Sequence, residues 1–252
     1  MKFTYILAIF TLCSFNAFAQ HAVNKIDKNS DWKNYQQFTE KTYDGVIMKN
    51  EIQYDLSNGK INAYRIMQNT EIEAEFEVRY DKDINVQQEM KIYDSGRGIV
   101  RELVYKSNLL FDEKNNLLDD GQFIYSKFVN GRPQIATTKD FNELKKQGTK
   151  KSFSYDENGL IKLEKSRTEG ETTRTTVVTT YKYDQCKNVV EISNRISEQN
   201  TDTSKKRKNN AVATKPSVEK INYEYEYQGC LWTKKYIIVD GTKKLLAERT
   251  FE

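Results

Sequence analysis

The sequence predicts an all-β protein: an antiparallel meander of β-hairpin repeats, an open or curled sheet with a short N-terminal helix. Three observations carry that prediction. Residues Glu71 to Tyr80 alternate charged and apolar without a fault, which is the period of a strand with one buried and one wet face. Six of the eleven glycines follow Asn or Asp, at Asp44-Gly45, Asn58-Gly59, Asp120-Gly121, Asn130-Gly131, Asn158-Gly159 and Asp240-Gly241. Such dipeptides supply the positive φ angles of tight hairpin turns. Only two prolines, Pro133 and Pro216, interrupt the 252 residues, which suits ladders that need every backbone N–H.

In chain order, residues 1–19 read as a secretory signal: Lys2 is the positive start, Phe3 to Phe15 an apolar run, and Ala17-Phe18-Ala19 a small-x-small cleavage site before Gln20. Leu12 stands where lipidation at Cys13 would need a small residue. Residues 20–44 are expected to form a helical cap, because Ser30 to Lys41 places Trp32, Tyr35 and Phe38 on one face behind a Ser N-cap. Residues 45–252 then form the hairpin domain, with a dozen or more short strands. Within it Val177, Thr179, Tyr181 and Tyr183 repeat the period of two, as do Ile221, Tyr223, Tyr225 and Tyr227. A second short helix is expected from Asp140, with Glu143 three residues on and Gly148 as its stop. Residues 197–217 are polar, lack aromatics and carry Lys205-Lys206-Arg207-Lys208, and they read as a flexible insertion. Its basic run is a solvated loop or a weak attraction to an anionic surface, since the signal argues against nuclear localisation and an isolated tetrad is thin support for a nucleic-acid partner.

Composition removes several chemistries. The formal net charge is +4, and loss of Lys2 with the signal leaves +3, close to balance. His21, the single histidine, would sit second in the mature chain, so Ser-His-Asp, Cys-His and His-rich metal mechanisms lack a base or ligand. No phosphate-binding glycine loop occurs. Glu71, Glu73, Glu75 and Glu77 lie on a wet strand face and do not converge as a hydrolase pair would. The mature chain has no hydrophobic run long enough for a membrane-crossing helix. No enzymatic activity, metal or cofactor is therefore expected.

A unit of aromatic, Asp, turn residues and aliphatic recurs. It is cleanest in Phe153-Ser154-Tyr155-Asp156-Glu157-Asn158-Gly159-Leu160, and looser at Tyr54-Asp55, Phe111-Asp112, Tyr183-Asp184 and Tyr227-Gln228. At these residues the sequence resembles the YD-repeat class, the tyrosine-aspartate hairpin repeats of bacterial Rhs-type and teneurin-like shells, in a short and degenerate array. The resemblance implies hairpin corners in which Asp accepts turn N–H groups; spacings of 26, 28 and 44 residues between repeat tyrosines are too irregular, and the array too short, to imply an enclosing shell.

After removal of the signal, Cys186 and Cys230 remain, each three residues beyond its repeat tyrosine. An even count in an oxidising compartment predicts one disulfide, spanning the insertion at its base, with two buried thiols as the alternative. Tyr181, Tyr183, Tyr223, Tyr225 and Tyr227 are the candidate binding residues, as a stacking platform or as core. The expected function is that of an exported, periplasmic or secreted, non-enzymatic binding or envelope-structural module whose partner is a protein or glycan of the cell envelope. The alternative is a periplasmic half-barrel carrier of a lipid or other apolar ligand.

Overall fold

The computed structural model describes residues 30–252, apart from 69, 82–83, 95–97, 107–109, 115, 140, 142–146, 171–172 and 201–215. After a single 3-10 turn, Ser30–Asn34, the chain runs through seventeen strands. They are β1 (Gln37–Asp44), β2 (Ile47–Ser57), β3 (Lys60–Gln68), β4 (Glu71–Asp81), β5 (Ile84–Asp94) and β6 (Gly98–Lys106), then β7 (Leu110–Phe111), β8 (Leu117–Asp119), β9 (Phe123–Val129) and β10 (Arg132–Thr138). β11 (Gly148–Tyr155), β12 (Ile161–Glu169), β13 (Thr173–Tyr183), β14 (Val189–Asn200), β15 (Ser217–Gln228), β16 (Leu231–Val239) and β17 (Thr242–Phe251) complete the series. All belong to one antiparallel meander sheet. The predicted fold class is the one observed.

Turn chemistry explains the register. All six Asn-Gly and Asp-Gly glycines have positive φ. At Asn58-Gly59, Asn130-Gly131 and Asp240-Gly241 both residues do, the conformation of a two-residue type I′ turn whose twist matches the strands it joins. At three corners an Asp accepts turn N–H groups. Asp156 Oδ1 accepts the Leu160 N–H at 2.8 Å, and Asp184 Oδ1 accepts the N–H groups of Cys186 and Asn188, both at 2.9 Å. Asp112 does the same for Lys114 and Asn116. Tyr54-Asp55 departs from the pattern, because its turn is the Asn58-Gly59 pair and Asp55 instead accepts from Gln37 and Arg65.

The expected helix over Ser30–Lys41 is overturned. One 3-10 turn forms, and from Gln37 the chain is strand β1, so residues 37–44 belong to the sheet and not to a helical cap. β1 is paired on both edges, with β2 and with β17, and these ladders satisfy backbone groups that an isolated helix of aromatic and β-branched residues would bind less well. Most of the second helix predicted from Asp140 lies outside the described residues; Gly148 opens strand β11 instead of ending a helix. Of the insertion, Ser197–Asn200 belong to β14 and Ser217 to β15, and 201–215 lie outside the described residues.

Two compact units divide the residues. The first draws on Asn108–Tyr181 and Ser193–Glu219. Its core is Leu117, Tyr125, Ala136, Phe153 and Ile161, flanked by Phe111, Phe123, Phe128, Tyr155 and Tyr181. Glu169 is buried there at the end of β12, with both oxygens 3.0 Å from Arg174 Nε and a further pair to Arg167.

The second unit comprises Asp27–Ser107, Lys182–Ile192 and Lys220–Glu252. Period two sorts its strands into two faces. On one, Phe251, Phe38, Tyr54, Tyr64, Phe76, Met90 and Leu103 stand directly opposite one another across seven strands. Phe38 stacks on Tyr54 at 4.4 Å and Tyr64 on Phe76 at 4.3 Å, and Phe38 and Phe76 are fully buried. Cross-strand aromatic pairs of this kind contribute roughly 0.2–1 kcal/mol each beyond an alanine pair. The other face carries ion pairs: Arg65 bridges Asp55 at 2.8 Å and Glu75 at 3.0 Å, and Lys91 stands opposite Glu75. The alternation of Glu71, Glu73, Glu75 and Glu77 against buried Ala74 and Phe76 is thus realised as read.

Candidate functional site

Cys186 and Cys230 form a disulfide with their Cα atoms 5.2 Å apart. Each lies at a hairpin corner, Cys186 in the Asp184–Asn188 loop and Cys230 in the turn between β15 and β16. The expected placement at the base of the insertion is overturned, since the whole lengths of β14 and β15 separate the cysteines from it. The bridge joins corner to corner, and Tyr227 reinforces it by donating its hydroxyl to Asp184 while accepting from Asn188 Nδ2 at 3.2 Å.

The five candidate tyrosines separate. Tyr181 packs on the Phe153 cluster of the first unit, as core. Tyr183 ends β13 beside the Asp184 corner of the second. Tyr223, Tyr225 and Tyr227 share one face of β15, with Tyr225 5.9 Å from Tyr227 and 6.2 Å from Trp232. The Tyr225 hydroxyl donates to the Val189 carbonyl at 2.9 Å. Burial pushes its ionisation well above the ordinary range, and burial together with the bond to Asp184 does the same for Tyr227. These hydroxyls act as fixed donors.

Sequence reading missed the residues that give this face its chemistry. Register places Lys235 opposite Tyr225 on one side and Ala247 on the other, while its neighbour Lys234 falls on the opposite face and pairs with Glu226. The Lys235 ammonium lies 4.6 Å from the Tyr223 ring centre and 6.0 Å from that of Tyr225. Cation–π contacts of this kind are worth about 0.5–2 kcal/mol, more as water is removed. Burial lowers the Lys235 pKa, with Glu40 opposing and Arg249 assisting. Arg249 stands opposite Glu40 across the β1–β17 ladder and is bonded to it at 2.7 Å, with both side chains under a fifth exposed. Its guanidinium carbon sits 3.7 Å from the Trp232 ring centre and 5.2 Å from that of Phe38.

The signal for this cluster is present in the sequence as Lys234-Lys235. Two consecutive lysines in a strand must point to opposite faces, so one enters the aromatic side. What that lysine meets depends on β15 and β17, which local period cannot specify.

Elsewhere, a depression of about 400 Å³ is lined by Asp112, Glu113, Lys114, Asn116 and Phe128, but the Asp112 carboxylate is already committed to the turn. Among the described residues no group of three or more His, Cys, Asp or Glu is arranged to hold a metal ion. No described helix is long and apolar enough to cross a membrane.

No protein-family model matches the chain, and no curated protein matches it. Among solved structures it is similar to a porin-like protein from Bacteroides vulgatus, 11% identical, with 86% of this chain and 97% of that chain covered and a TM-score of 0.39. At that identity and score the likeness assigns no function.

Proposed function

We propose that the protein is an exported, non-enzymatic binding module of the cell envelope, built from YD-like hairpin repeats, that meets its ligand on the aromatic face of β15 and β16. One observation carries the reading: Tyr223, Tyr225 and Trp232 line a sheet face from which a half-buried lysine projects without a carboxylate at ion-pair distance among the described residues. Such a face is costly to keep for stability alone, because a partly desolvated ammonium is unfavourable until an anion meets it. Export is supported by the N-terminal segment and by the disulfide, which suits an oxidising compartment. The YD-like character is supported by the shared hydrogen bonding of the Asp112, Asp156 and Asp184 corners.

Native mass spectrometry of the protein purified from its source tests the proposal. Wild type is expected to retain a stoichiometric adduct that Tyr225→Ala loses while its strand circular dichroism is unchanged. A wild-type protein that carries nothing, or an adduct held equally by the variant, would refute it.

A further inference from the structure

We infer that the ligand of this face is an amphiphile with an anionic head group, and that the Lys235 ammonium is the counter-ion of that head group. The inference rests on the binding function proposed above and adds the chemistry of what is bound. It starts from a contrast among neighbouring lysines. Lys234 has Glu226 at 3.4 Å and Lys243 has Glu224 at 3.2 Å, both on the wet face of the same strands. Lys235 has none at that distance among the described residues, and its direct cross-strand neighbours are Tyr225 and Ala247.

The acid nearest in charge terms, Glu40, is held by Arg249 at 2.7 Å, and Arg249 is itself laid over Trp232. That pair is neutral as a unit, so the cluster of Lys235, Arg249 and Glu40 is left with one positive charge. An incoming anion beside Lys235 would cancel it in partly dehydrated surroundings, where an ion pair is stronger than in water.

The remainder of the ligand is read from what else lines the face. Ile237 stands opposite Tyr223, Ala247 stands opposite Lys235, and the Trp232 ring lies 6.2 Å from that of Tyr225. The hydroxyls of Tyr225 and Tyr227 already donate to Val189 and Asp184, so neither is left to donate to the many hydroxyls of a glycan. An apolar body with a charged end matches this face better than a polyhydroxylated chain.

The test titrates the mature protein, by dansyl fluorescence, with 11-(dansylamino)undecanoate and with its uncharged methyl ester. Wild type, Lys235→Met, Lys234→Met and Tyr225→Ala are compared. Lys234→Met removes the same charge from the same strand but from the opposite face. Wild type is expected to bind the carboxylate about tenfold or more tightly than the ester, a preference lost in Lys235→Met and kept in Lys234→Met. Equal affinity for the two probes, or equal loss of the preference in both lysine variants, would overturn the head-group assignment. If both probes bind equally and Tyr225→Ala loses both, the binding face stands and only the charge recognition fails. If neither probe binds folded wild type, the amphiphile is overturned, and the binding function itself is then decided by the native-mass measurement.

Discussion

Replacing Cys186 and Cys230 together by serine opens a covalent loop of 44 residues that contains both β14 and β15. The native corners keep their other tie, since Tyr227 still donates to Asp184 and accepts from Asn188. The cost should therefore fall on the unfolded chain, which regains the freedom to separate the two corners. The chain-entropy relation for 44 residues gives about 13 cal/mol/K, or ~4 kcal/mol at 25 °C. Urea unfolding followed by circular dichroism reads this directly: with a slope near ~3 kcal/mol/M the midpoint should fall by a little over ~1 M. Wild type treated with reductant should unfold with the double variant. A loss below about 1 kcal/mol, or a reduced wild type that matches the oxidised protein, would show that the corners are held by packing and hydrogen bonds and that loop closure matters little.

Two further outcomes follow from the first unit. Asp156→Ala leaves the Leu160 N–H without its carboxylate acceptor and should cost about 1–3 kcal/mol in the same urea assay, whereas a change under ~0.3 kcal/mol would remove the Asp corner as a structural device. Tyr155, pushed up to about 12 chiefly by burial while its hydroxyl donates to the Pro133 carbonyl at 2.6 Å, makes stability fall at alkaline pH. Between the unfolded value near ~10 and the folded one, the unfolded chain has lost a proton that the folded chain keeps, so the contribution is complete below pH ~10 and is lost as pH rises through about 12. Urea midpoints from pH 8 to 12 should decline over that window and decline less steeply in Tyr155→Phe; an unchanged slope in the variant would place the effect on other groups.

Much of the architecture was legible because strands and turns are local. The alternation at Glu71–Tyr80 and the Asn-Gly and Asp-Gly pairs depend on neighbours within a few residues, and the structure realises each of them. The N-terminal segment failed for the opposite reason. Trp32, Tyr35 and Phe38 fit a helical face, but Phe38, Glu40 and Thr42 also fit a strand, and the ladders offered by β2 and β17 decide between them. β17 lies some two hundred residues along the chain, outside the reach of any window. The candidate site divides in the same way: the tyrosines of β15 are visible as a row, while Lys235, Arg249 and Trp232 become a site only when β16 and β17 are laid beside them.

By itself the sequence determined which residues turn, which strand faces are apolar, and that Cys186 and Cys230 are a candidate pair, because these follow from backbone period, φ preferences and composition. Only the tertiary structure decided that β1 is a strand paired with both β2 and β17, that the disulfide joins two corners, and that one lysine faces tyrosine rings with no carboxylate at ion-pair distance among the described residues. Each of those outcomes depends on non-local strand pairing, where the partner across the ladder sets the environment of a side chain and the residues next to it in sequence do not.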